Sequence, residues 1–212
     1  MQTFRRSQRA LYASGGAVLS VLLGLAPASA QSGASAAPPG SIELQKGGVE
    51  VGFVGGSTLP VSWLRAHADR RITMGSIDLG RIVTHQRGGG PLAGNFEFLL
   101  EITPVVALRQ SSYTYGLAAS PLHMRWNFRP VGRLGVFAEA SGGVIYTRQA
   151  VPASATSFNF LDQAGFGVRI AAGRRREWLA GYRFQHISNA GLSRPNPGAN
   201  FNFVYAGFTF FR

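Results

Sequence analysis

From about residue 93 onward, apolar and polar residues alternate with a period of two, as a β-strand with two unlike faces requires. In "NFEFLLEITPVV" the even positions Phe96, Phe98, Leu100 and Ile102 are apolar, while Asn95, Glu97, Glu101 and Thr103 occupy the odd face. "YGLAASPLHMRWNF" sets Leu122, Met124, Trp126 and Phe128 against His123, Arg125 and Asn127. "RLGVFAEASGGVIY" and "FNFLDQAGFGVRI" repeat the pattern, with Glu139 and Arg169 on their odd faces.

Eight strands are predicted, at about 47–55, 69–84, 93–107, 113–129, 132–147, 157–173, 176–189 and 200–211. The first two are the least regular, because "RRITMGSIDLGRIVT" alternates poorly and "GGVEVGFVGGST" is short. Most runs reach the ~9–11 residues with which a tilted strand crosses a bilayer. The odd face carries charges of both signs, Glu97, Glu101, Arg125, Glu139, Arg169 and Arg183. Such a face suits the side-chain-filled interior of a small barrel whose apolar exterior meets lipid. The expected fold is all-β: an eight-stranded antiparallel up-and-down transmembrane β-barrel over residues 47–212.

The start of the chain changes where that barrel would reside. Arg5, Arg6 and Arg9 precede the short apolar run "LYASGGAVLSVLLGLA", and "APASA" ends at Ala30. This is the pattern of a cleaved signal peptide, residues 1–30, followed by a flexible lead-in, 31–46. The chain has 212 residues and no cysteine, so an exported fold cannot rest on disulfides. Its formal charge is +12, and removal of the three leader arginines leaves +9. Lys46 is the only lysine. Guanidinium groups bind phosphate bidentately, so in an exported protein the expected partner is phosphate-bearing lipid and not nucleic acid.

Strand seven, "EWLAGYRFQHIS", breaks the apolar rule on its outer face. Its even positions are Trp178, Ala180, Tyr182, Phe184, His186 and Ser188, whereas Glu177, Arg183 and Gln185 face the lumen. Both termini of an even-stranded barrel lie in the periplasm, so this strand ends at the outer leaflet. A serine hydroxyl is a weak nucleophile until a histidine takes its proton, and that histidine needs a third group to orient it. Spacing of two on one strand face puts the two Cβ atoms within ~7 Å. His-x-Ser alone is also what an inert interfacial polar pair looks like.

The longer stretch "HISNAGLSRPNPGAN" resembles the active-site segment of the outer-membrane lipid A 3-O-deacylases, roughly His-x-Ser-Asn-Ala-Gly-Leu-x-x-Pro-Asn-x-Gly-x-Glu. "FNFLDQAGFG", with Asn159, Phe160, Asp162 and Gly165, is similar to that family too. So is "VFAEASGGV", with Phe137, Glu139, Ala140 and Gly143. The resemblance covers about residues 130–212. It implies His186 as general base and Ser188 as nucleophile, with Asn196 and the backbone from Asn189 to Gly191 stabilising the oxyanion. The implied reaction is hydrolysis of the 3-position acyl ester of lipid A in the bacterial outer membrane. It implies no metal and no organic cofactor, and no sequence cluster of His, Asp and Cys argues for a metal site. Lipopolysaccharide, outer-membrane lipid and, during biogenesis, the barrel assembly machinery are the implied partners; a homodimer is an admissible assembly.

Where the family motif ends in glutamate this chain has Asn200, on the outward face of strand eight. An asparagine can orient a histidine through its amide oxygen, as in papain-like enzymes. Asp162 is a second candidate, because the strand 6–7 hairpin sets it opposite Phe184, His186 or Ser188. Glu97, Glu101 and Glu139 are expected as lumen partners of Arg125, Arg133, Arg169 and Arg183. His67, His85 and His123 have no serine or carboxylate at a useful spacing, and "GRRRE" is expected to be a periplasmic turn. The rival readings are a catalytically silent barrel of the same fold, with a structural or lipopolysaccharide-binding role, and an esterase for another lipid.

Overall fold

The computed structural model describes residues 44–66, 69–173 and 175–212. The expected leader, most of the lead-in and His67 lie outside them. Eight strands, β1 (Val49–Thr58), β2 (Arg71–Ile82), β3 (Gly94–Arg109), β4 (Tyr113–Phe128), β5 (Leu134–Thr147), β6 (Phe158–Gly173), β7 (Arg176–Ser188) and β8 (Ala199–Phe211), follow one another round a closed antiparallel barrel. Closure is made by β1 against β8, from Glu50↔Phe211 to Thr58↔Phe203. A closed sheet leaves no edge unpaired, which lets strands stand in lipid with every ladder hydrogen bond made. No helix among the described residues is long and apolar enough to cross a membrane.

Alternation sorts the side chains as the sequence predicts. Phe98, Leu100, Ile102, Leu122, Met124 and Phe166 are exposed on the outer wall. Glu97, Glu101, Arg125, Glu139, Arg169 and Arg183 are buried in the lumen. Strands β1 and β2 turn their even-numbered residues inward, which adds Glu50 and Asp78 to that set. Bulges between Gly75 and Ile77, and between Thr103 and Val106, shift the register partway along β2 and β3.

The lumen has two halves. Near the mouth that holds Arg212, Arg169 bonds Glu50 at 2.8 Å, Glu97 at 2.9 Å and Glu177 at 3.0 Å. Farther in, Arg183 holds Glu139 at 2.7 Å and also pairs with Glu101, while the Tyr205 hydroxyl donates to Glu139. Arg125 lies 4.8 Å above the Phe137 ring. Gly167 makes room for that ring: a Cβ there would collide with Phe137.

Toward the far mouth the lumen is apolar, filled by Ile72, Leu108, Ile145, Leu161, Ile187 and Phe201. Burying each such side chain is worth about 1.5–3 kcal/mol relative to water. The lumen charges expected from the odd faces are thus gathered in one half, while Thr58, Thr114, Thr147 and Asn159 are the buried polar groups of the other end. Two further expectations change. Arg133 is exposed at the β4–β5 turn and donates to the Ala171 carbonyl, 3.1 Å from its Nε, so it is no lumen partner. His123 does have carboxylates: Glu139 lies 3.1 Å from Nε2, and Glu101 lies 3.8 Å from Nδ1. Sequence spacing hides both, because β3 and β5 bring them in from either side.

Candidate active site

At the far mouth, on the outer wall, β6, β7 and β8 carry the predicted polar group side by side. The register pairs Asp162 with His186 and His186 with Asn200, and sets Ser188 beside Phe160. His186, Ser188 and Asn200 are half-buried, and Asp162 is exposed.

The imidazole is held from one side only. His186 Nδ1 lies 2.6 Å from Asn200 Oδ1. The Asn200 amide nitrogen donates in turn to the Leu64 carbonyl at 3.4 Å. A carbonyl can only accept, so this contact turns the amide NH2 away from the ring and its oxygen toward it. The ring nitrogen facing an amide oxygen must carry the proton, which leaves Nε2 as the lone-pair nitrogen. Asp162 makes no hydrogen bond among the described residues, although it stands cross-strand from His186.

The carbonyl comes from a segment that the alternation does not reveal. The β1–β2 connection passes over the outer face of β8, where Asn202 donates to Trp63 O at 2.9 Å and to Val61 O at 3.2 Å. Tyr182 donates to Asn202 Oδ1 at 2.6 Å, and its ring meets Trp63 at 5.8 Å. Asn202 is consequently buried, although it points away from the lumen. Leu64 and Arg65 both have positive φ, 55° and 58°, so the strap is sharply turned where it offers its carbonyl. Leu59, Val61, Trp63 and Leu64 remain exposed and give the strap an apolar surface beside the histidine.

The β7–β8 loop closes the other side. Asn189 is buried, and its side chain accepts from Gly191 N–H at 2.9 Å and donates to Ser193 O at 3.1 Å. Its own N–H donates to Asn196 Oδ1 at 3.1 Å. Asn189 is therefore committed to holding the loop, while Asn196, whose Oδ1 accepts from it, is exposed. The Ala190 N–H points at Ser188 Oγ, at 3.4 Å. No hydrogen bond joins Ser188 to His186. Gly198, at φ 62°, lies against the imidazole, where a Cβ would come within 3.1 Å of His186 Cε1.

This arrangement offers a histidine with one nitrogen oriented and the other free, a hydroxyl two residues along the same face, and nearby N–H donors. Those are the parts that acyl transfer needs. Residues 100–209 match the family described as Lipid A 3-O-deacylase (PagL). The crystal structure of the outer membrane enzyme PagL is similar in fold, with a TM-score of 0.54 at 19% identity, covering 74% of this chain and 97% of that chain. No curated protein matches the sequence.

Proposed function

Since the chain belongs to the lipid A 3-O-deacylase family of outer-membrane barrels, we propose that it hydrolyses the 3-position acyl ester of lipid A from the outer leaflet, with Ser188 as nucleophile. His186 Nε2 takes the Ser188 proton as Oγ attacks the ester carbonyl. In this reading the Asn196 amide and the Ala190 N–H supply the donors that the oxyanion of the tetrahedral intermediate needs. Collapse breaks the bond to the sugar oxygen, and the imidazolium returns its proton to that alkoxide. Water, deprotonated by the same nitrogen, then releases the fatty acid and restores Ser188.

The observation that carries this reading is the chain from Leu64 O through the Asn200 amide to His186 Nδ1. It gives the neutral asparagine the tautomer-fixing task of a carboxylate, without the negative charge that would stabilise the imidazolium. Substrate is favoured at this mouth by Arg65, Arg70, Arg71, Arg109, Arg148 and Arg194, against Asp69 in the same loops. These guanidinium groups suit the phosphates of lipid A. Export through a leader of residues 1–30, a lead-in of 31–46 and insertion of 47–212 by the assembly machinery belong to the same reading.

The test is mass spectrometry of lipid A after incubation with the folded barrel, beside Ser188→Ala. Loss of one 3-hydroxyacyl chain with the wild type alone is expected. An unchanged spectrum, from barrel shown to be folded and with an active deacylase in parallel, would overturn lipid A hydrolysis in favour of a silent barrel or another ester.

A further inference from the structure

The charged half of the lumen does not balance. Six carboxylates and three guanidinium groups are buried there. Arg169, Arg125 and Arg183 satisfy most of the carboxylates, but Asp78 is left out. It is fully buried, neither of its oxygens has a hydrogen-bond partner among the described residues, and the nearest guanidinium nitrogen, on Arg125, is 3.8 Å away. A carboxylate so placed costs several kcal/mol unless something neutralises it.

Two other donors converge on it. Ligand atoms of Asp78, Glu101 and His123 lie within 4.8 Å of one another. Metal–ligand bonds of about 2.0–2.6 Å place the atoms of one coordination shell no more than about 5 Å apart. Among the described residues His123 Nδ1 has no hydrogen-bond partner, and neither does the buried hydroxyl of Ser120, which stands cross-strand from Glu101. The supporting contacts also fit. His123 Nε2 lies 3.1 Å from Glu139, and a histidine that donates to a carboxylate from one nitrogen presents a lone pair on the other. Arg183 holds Glu101 and Glu139 together, which fixes the acid and the histidine in one frame.

We propose that Asp78, Glu101 and His123 form a buried site for one divalent cation inside the barrel. Two carboxylates and an imidazole suit Zn2+ or Mn2+ better than the all-oxygen shells of Ca2+ and Mg2+. The site is separate from the outward-facing histidine, and its role is to staple β2, β3 and β4 from within. Asn127, Arg169 and Glu177 line a small cavity at the edge of the charged half.

The test uses the full chain purified from outer membranes in mild detergent, stripped with chelator, reconstituted with Zn2+ or Mn2+ and desalted. Elemental analysis is expected to find about one ion per folded chain. Asp78→Asn and His123→Gln should each lower occupancy at least tenfold at limiting metal. His85→Ala, which removes an exposed histidine, should leave it unchanged. Chelator should lower the temperature at which the wild-type barrel loses its heat-modifiable gel mobility, and should leave that of Asp78→Asn where it was. His123→Gln covers the case in which Asp78→Asn does not fold. Wild type without retained metal, or equal retention by wild type and both lumen variants, overturns the site.

Discussion

Among the described residues, two histidines have a hydrogen-bonded partner, one inside the barrel on β4 and one outside it on β7. His123 is fully buried in the lumen beside two glutamates, with Glu139 at 3.1 Å. His186 stands outside, half-buried, and has only the amide oxygen of Asn200, at 2.6 Å. His123 has the stronger partners, since a carboxylate can stabilise an imidazolium as a neutral amide cannot. It has no serine within hydrogen-bond reach and no route for a lipid ester. His186 has the weaker partner together with Ser188 and an apolar strap on the outer wall. On the proposed reading, the difference teaches that access and arrangement select the reactive histidine, while the stronger electrostatics serve the fold.

The variant with the largest expected effect lies outside. Ser188→Ala should lower lipid A deacylation by at least about 10⁴-fold, or ~5.5 kcal/mol of transition-state stabilisation. The folded mobility of the barrel should not change, because this half-buried side chain holds no lumen contact. Deacylation kinetics beside heat-modifiability check both halves of that statement. Residual turnover near the wild-type rate would remove the outer site from the mechanism.

Next in size is its mirror image in the lumen. Arg183→Met removes the partner that Glu101 and Glu139 share. Glu101 then loses its guanidinium and Glu139 keeps only that of Arg125, which should cost about 3–5 kcal/mol of stability. Urea unfolding in lipid vesicles measures this, and the molecules that remain folded should deacylate lipid A as the wild type does. A variant as stable as the wild type but slow would mean that the network acts on the site through the wall.

These two sides of the wall were not equally legible. The six regular strands from β3 to β8 follow from alternation alone, and so do the lumen charges that they carry. β1 and β2 were harder, because glycines and a bulge blur their period. Glu50 and Asp78 escaped notice for that reason. The segment from His186 to Asn200 is legible through its resemblance to the deacylase motif, since His-x-Ser spacing alone leaves an inert polar pair open. The strap does not: Leu64 and Asn200 are 136 positions apart, and Asn202 and Val61 are 141 apart. Nothing periodic marks a loop that folds back over an outer wall. Asn189 also reads as a possible oxyanion donor until its N–H is found on Asn196.

The Asn200 contact offers a middle-sized effect. Asn200→Ala frees the imidazole to turn and should lower turnover about 10²-fold, ~2.7 kcal/mol. Asn200→Glu restores the charge that the family motif carries, but it also sets a carboxylate oxygen against the Leu64 carbonyl, where the amide donated before. The gain in turnover should therefore stay below about tenfold. Steady-state rates for both variants decide it. If Asn200→Ala matches the wild type, the chain from Leu64 to His186 is only structural.

The smallest effect concerns the carboxylate nearest His186 on the strand ladder. Asp162 and His186 are register partners, which makes the aspartate an obvious orienting acid. Yet Nδ1 is already taken by Asn200, and Asp162 is exposed without a hydrogen bond among the described residues. Exposed charges couple weakly, by about 0.2–1 kcal/mol. Asp162→Asn should then change turnover less than about threefold. A loss of a hundredfold, with Asn200→Ala nearly silent, would reverse the assignment. The barrel would then use a carboxylate on the outer wall as well as in its lumen, and the contrast between the two histidines would rest on access alone.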